Sequence, residues 1–87
     1  MTQREQKLCK AILDVLHNMD GKQADEAIVQ FEAQLALDEK IPAAEFSGAL
    51  VLCDAQRWII GVKSKFAGVK YNISDAGESA RLEMSPG

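Results

Sequence analysis

The chain has 87 residues, enough for one hydrophobic core and not for a second. Hydrophobic residues make up 47%, which excludes a disordered or low-complexity chain. Ten Lys and Arg against thirteen Asp and Glu leave a net charge of −3, so any anion-binding surface must be a local patch; a uniformly basic nucleic-acid coat and a polybasic membrane anchor are excluded.

Residues 4–19 carry a helical pattern, with Leu8, Ile12, Val15, Leu16 and Met19 returning at three- and four-residue steps. Thr2 and Glu5 have capping-box spacing at its start, and Gly21 supplies a stop. A second helix is expected from about Asp25 to Leu37, with Ile28, Phe31 and Leu35 as its apolar stripe and Asp25 and Glu26 favouring its N-terminus. Asp38-Glu39-Lys40 is a polar break. Pro42 then suits a first helical position, and Phe46, Ala49, Leu50 and Cys53 mark the buried face of a third helix to about Ala55. Gly48 inside it costs about 1 kcal/mol relative to Ala, and either permits a close crossing or is simply tolerated.

The periodicity changes after Gln56. Trp58-Ile59-Ile60-Gly61-Val62 is aromatic and β-branched, hence strand-like, and Val69-Lys70-Tyr71-Asn72-Ile73 alternates with period two. The polar, glycine-containing segment Lys63 to Gly68 between them makes a β-hairpin. Trp58, Ile60 and Val62 are expected on one side and Ile59 on the other, with Tyr71 and Ile73 opposite. Ser74 or Asp75 caps a last short helix with Leu82 as its core residue. The expected core is Leu8, Ile12, Leu16, Ile28, Phe31, Leu35, Phe46, Leu50, Ile60 and Leu82, within one domain of residues 1–84 followed by a loose tail, 85–87.

Chemistry-bearing residues are sparse. His17 is the sole histidine, near the end of the first helix, where free carbonyls are its natural partners; no nucleophile triad can be built away from it. Cys9 and Cys53 are too few for a structural zinc site and read as reduced thiols packed as small hydrophobes. The glycines are dispersed, so no phosphate-cradling loop forms. No run approaches the roughly 20 apolar residues of a membrane span. The expectation is a cytoplasmic protein without metal or cofactor, and not an enzyme.

The order helix, helix, turn, helix, hairpin, helix resembles a winged helix-turn-helix domain, an α+β and mainly helical fold. Phe46, Leu50, Trp58-Ile59-Ile60-Gly61-Val62 and Tyr71-Asn72-Ile73-Ser74-Asp75-Ala76-Gly77-Glu78 carry that resemblance. The last stretch is similar to the winged-helix segment "Tyr, x, Ile or Leu, Thr or Ser, x, x, Gly". More narrowly, residues 41–83 resemble the small YjcQ-like proteins of bacteria and their prophages, a family with no biochemical role to carry over. The resemblance implies the fold, a third helix in the recognition position and a wing.

Charge decides what such a fold can do here. Residues 21–56 hold two lysines against seven acids, net −5, whereas residues 57–70 hold Arg57, Lys63, Lys65 and Lys70 with no acid. The third helix begins with Ala43, Ala44, Glu45, Ser47 and Gly48, none of which reads purines bidentately; Ser47 is the residue nearest any base. The wing is the remaining route to duplex DNA. Lys63, Lys65 and Lys70 either contact phosphates or keep an exposed edge soluble, and Phe66 either enters a groove or folds back on the domain. Arg4, Lys7 and Lys10 at three-residue steps add phosphate contacts or are ordinary solvated surface. Trp58 is core, or an apolar surface that a second copy covers; the first helix and Val51 offer other routes to a homodimer. The two readings are a DNA-associated regulator or phage accessory factor, and a module that docks a basic protein partner on its acidic helices 25–45.

Overall fold

In the computed structural model of the chain, residues 1–20, 22–66 and 68–84 are described. The first helix, α1 (Gln3–Asn18), starts on the capping box foreseen in the sequence. The Thr2 hydroxyl accepts from the Glu5 N–H at 3.1 Å, and the Glu5 carboxylate accepts from the Thr2 N–H at 2.8 Å. Its inner face, from Leu8 to Leu16, lies at the centre of the core. Gly21 and the tail 85–87 fall outside the described residues.

A two-residue strand, β1 (Ala24–Asp25), precedes α2 (Glu26–Leu37), whose first turn is capped by Asp25 accepting from the Ile28 N–H at 2.9 Å. Next come α3 (Ala43–Ala55), the hairpin β2 (Ile59–Ser64) and β3 (Gly68–Ile73), and α4 (Asp75–Glu83). The antiparallel sheet has the order β1-β3-β2, so it is three-stranded where the sequence suggested only a hairpin. The strands also reach further than expected: Lys63 lies inside β2, not in the connecting loop.

Two faces turn out opposite to expectation. On α2 the buried residues are Val29 and Ala33, while Ile28, Phe31 and Leu35 are exposed. Both sets recur at helical spacing, and the smaller one lets α2 approach α1 closely. The two glutamines beside it decide the matter. Gln30 donates its amide to the Ile41 carbonyl at 3.0 Å, and the Gln34 amide oxygen accepts from the Ile41 N–H at 2.8 Å, fixing the α2–α3 turn. In β2 it is Ile59, not Ile60, that is buried. Ile59 pairs with Ile73 and Gly61 with Tyr71, so the inward face reads Ile59, Gly61 on one strand and Tyr71, Ile73 on the other. Gly61, itself exposed, leaves room on this face for Tyr71: a Cβ there would stand 3.2 Å from the ring and from the Val69 side chain. Leu82 is also exposed; Gly77 and Ala80 are the residues α4 buries.

Gly77 is inward because α4 crosses the start of β2 at contact distance. A Cβ at Gly77 would lie 2.0 Å from the Trp58 carbonyl oxygen, and backbone cannot yield as a side-chain tip can. The same carbonyl accepts from the Ser74 N–H at 3.0 Å, and Ser74, the N-cap of α4, donates its hydroxyl to the Arg57 carbonyl at 2.6 Å. Trp58 is half-buried against the core. Gly48, by contrast, has nothing within 4 Å of a Cβ position and permits no close crossing.

Cys9 and Cys53 are free thiols, fully buried side by side between α1 and α3. A hydrogen bond with Cys9, reinforced by burial, pushes the Cys53 thiol far above its usual range. Among the described residues no helix is long and apolar enough to cross a membrane, and no three His, Cys, Asp or Glu side chains gather as a metal site.

The two helical glycines should respond oppositely to alanine. Gly77→Ala is expected to cost about 3 kcal/mol or more through overpacking, whereas Gly48→Ala should stabilise by about 1 kcal/mol through helix propensity alone. Urea unfolding monitored by circular dichroism measures both; equal effects would contradict the crossing at Trp58.

Candidate nucleic-acid interface

Two elements occupy the positions from which a winged helix meets DNA: the outward face of α3 and the β2–β3 wing. The outward stripe of α3 is Ala44, Gly48, Val51 and Ala55, all exposed, spaced four, three and four residues apart. Small and apolar, it presents no base-reading donor or acceptor. Ser47, the residue expected nearest a base, donates its hydroxyl to the Glu26 carboxylate at 3.0 Å. It is therefore tied to α2.

Between α3 and the sheet lies an open cleft of about 310 Å³ lined by Glu26, Ser47, Val51, Asp54, Val69 and Tyr71. Burial, with Glu26 and Asp54 close by, pushes the Tyr71 phenol above its ordinary value. The cleft is thus negative and repels phosphates.

The acids at the start of α3 are neutralised from within. Arg4 of α1 donates Nε to Glu45 Oε2 at 3.0 Å and Nη2 to Glu45 Oε1 at 2.9 Å, a bidentate fork, and gives Nη1 to Glu39 in the α2–α3 turn. Lys7 adds an ion pair to Glu39 at 3.6 Å. Hydrogen bonds from Arg4 hold both the Glu39 and Glu45 carboxyls below the usual glutamate range. Further along α1, Lys10 pairs with Asp14 at 2.7 Å, and Arg81 of α4 reaches the same carboxylate at 3.4 Å. His17 meets Glu78 of α4 through Nδ1 at 2.9 Å, not the helix-end carbonyls expected from its position. Arg4, Lys7 and Lys10 are thus spoken for inside the protein; sequence spacing along one helix could not show that their acids arrive from elsewhere.

The cations from residue 57 to 70 differ in kind. Among the described residues, Arg57, Lys63, Lys65 and Lys70 have no ion pair with any acid. Lys63 sits opposite Val69 and so lies on the wing face that carries Gly61 and Tyr71, turned toward α3. Lys70 pairs with Val62 on the opposite face, half-buried and beside Asp25 of β1. Lys65 is at the turn, its ammonium 5.9 Å from the centre of the Phe66 ring. Phe66 is 93% exposed and does not fold back on the domain. Arg57 is exposed at the base of the wing in a left-handed conformation, φ 60°, that turns the chain from α3 into β2. The wing's three lysines are therefore spread around the hairpin, with Lys63 on the face toward α3, Lys65 at the turn and Lys70 on the opposite face.

No family model and no curated protein matches the chain. Two solved structures do. RosR of H. salinarum, in a form grown from NaBr, superposes with a TM-score of 0.74 at 14% identity, over 95% of this chain and 69% of that one. A complex structure of hsRosR-S1 gives a TM-score of 0.73, again at 14% identity, over 95% and 68%. RosR has the winged-helix fold. The fold defined by the element order and confirmed by these superpositions is the winged helix-turn-helix, with α2 and α3 as its helix-turn-helix and β2–β3 as its wing.

The Arg4 clamp makes a pH-dependent prediction. Glu39 and Glu45 have lowered values in the folded state, so their contribution is full above the ordinary glutamate range and fades as pH falls through it. Arg4→Ala should therefore lower the urea midpoint at neutral pH, and the gap to wild type should close at about pH 2. A gap that persists in acid would mean that Arg4 acts through packing of its stem alone.

Proposed function

We propose that the chain is a small non-catalytic winged-helix protein that associates with duplex DNA through its wing, as a transcriptional regulator or accessory factor. The observation that carries this reading is the partition of its cations. Arg4, Lys7, Lys10 and Arg81 on the helices each hold an acid of the same chain. Among the described residues Lys22 and Lys40 hold none and neither do Arg57, Lys63, Lys65 and Lys70, but only the last four are gathered in one acid-free stretch, on and below the wing. Phosphate neutralisation supplies most of the affinity of a protein for non-specific duplex, and it needs cations that are not already neutralised. Lys63 and Lys65 take the phosphates, Arg57 supports them from the wing's base, Lys70 contributes from behind, and Phe66 lies at the tip where minor-groove wedges sit.

RosR, which shares the fold, supports the assignment to DNA. The bare stripe on α3 argues for association guided by backbone and groove shape over direct base readout. The resemblance of residues 41–83 to YjcQ-like proteins supports a prophage-type setting, in the cytoplasm, for a domain of residues 1–84.

A salt titration of binding to random duplex tests this reading. The wild type should bind at low salt with affinity that falls steeply as salt rises. Lys63→Ala, Lys65→Ala and Lys70→Ala together should flatten the log–log slope by up to about three. Absence of association at low salt, or an unchanged slope in the triple variant, would overturn it.

A further inference from the structure

From the face of α2 that points away from the core, we infer that the protein has a second interaction surface, which docks a basic amphipathic helix of a partner protein. Ile28, Phe31 and Leu35 follow each other at steps of three and four residues and are 46%, 59% and 62% exposed. They stand opposite the buried pair Val29 and Ala33, so α2 is apolar on both sides. One apolar face of α2 is covered by the core, and the other, interrupted by Glu32, is covered by no layer among the described residues. Three large side chains exposed to this degree approach the roughly 300 Å² at which a surface patch becomes a binding site. A groove of about 470 Å³ runs beside the stripe, with an apolar side of Val15, Met19, Leu35 and Ala36 and a polar side of Asp14, Asn18 and Glu32.

The rim identifies the occupant. Residues 25–39 contain five acids and no Lys or Arg; Glu39 is held by Arg4 and Lys7 and Glu26 by Ser47 in the α3 cleft, which leaves Glu32 and Asp38 beside the stripe. Glu32 lies within the apolar stripe and Asp38 at its end, and neither has an ion pair among the described residues. A partner helix with leucine-type residues along one stripe and lysine or arginine flanking it satisfies both the apolar centre and the acidic rim. A second copy of this chain does not. A two-fold pairing through the stripe would have its axis near Phe31 and would set Glu32 against its own copy, with no cation on either α2 to relieve it. Duplex DNA is repelled by the same acids. This surface is separate from the wing and does not depend on the reading given for it.

The test uses a fluorescein-labelled peptide of about 18 residues, five helical turns, with leucines on one stripe and lysines elsewhere. Its twin carries glutamates in place of the lysines. Anisotropy should show the lysine peptide binding wild type and the glutamate peptide failing to bind. Phe31→Ser with Leu35→Ser should weaken binding at least tenfold, about 1.4 kcal/mol or more, without loss of the helical circular dichroism signal, because both side chains point outward. Glu32→Lys, a change with no packing consequence, should weaken it too and reduce its salt dependence. Lys63→Ala, Lys65→Ala and Lys70→Ala together should leave it unchanged, so that failure here and failure of duplex binding are separable. The inference is overturned if the serine pair binds the lysine peptide as wild type does, or if sedimentation shows a wild-type dimer that the serine pair dissolves.

Discussion

Arg4 holds the start of α3 and the turn before it in place. One guanidinium, carried on the first turn of α1, grips the carboxylate of Glu45 on the first turn of α3 with two hydrogen bonds and that of Glu39 in the preceding turn with a third. A planar fork suits this task, where a lysine ammonium would hold only one acid at a time. With Gln30 and Gln34 fastening Ile41 from the other side, the helix-turn-helix is pinned between α1 and α2 at its turn. The cost is charge. Arg4, together with the ion pairs of Lys7, Lys10 and Arg81, leaves the helical body with little positive charge to offer a phosphate.

The acid-free cationic stretch is the wing, and its base is built to be rigid. Ser74 binds the backbone of both Arg57 and Trp58, and Gly77 brings α4 against the Trp58 carbonyl. Tyr71 packs over Gly61 just beyond. The hairpin thus leaves the body at a fixed angle, and only its outer part, with Lys63, Lys65 and the exposed Phe66, extends into solvent. On the proposed reading, a firmly seated base with an open cationic end would give phosphate contacts a defined register and leave sequence readout to groove shape. The exposed apolar side chains on the outer face of α2 have a different chemistry, on which the inferred partner-helix surface rests.

Much of this was legible in the sequence because the signals were local. The Thr2–Glu5 capping box, the Phe46-centred buried face of α3 and the alternation of Val69 to Ile73 each needed only a few residues, and the charge count already separated residues 57–70 from the acidic helices. The errors share one cause: two faces competed and only tertiary contacts could choose. On α2, Ile28, Phe31 and Leu35 looked like core because they are the larger apolar set, yet Val29 and Ala33 permit the close approach to α1. In β2 the sequence pattern favours Ile60 as the buried residue, one out of phase with the structure, since Gly61 carries no hydrophobic weight to show that it shares the face of Ile59 and Tyr71. The strand β1 had no signal at all, being two residues that exist by pairing with Lys70 and Tyr71. The candidate site shows the same limit. Lys63, Lys65 and Lys70 were found as a group, but that they divide between two faces of the hairpin follows from register alone.

The central claim is that duplex DNA meets the wing and not α3. Two-dimensional amide spectra of the isotopically labelled protein, recorded while a short random duplex is added at low salt, test it residue by residue. The account predicts the largest shifts at Lys63, Lys65, Phe66 and Lys70, with Arg57 following and Ala44, Gly48 and Val51 scarcely moving. Shifts centred on Ala44 to Val51, with a silent wing, would contradict it.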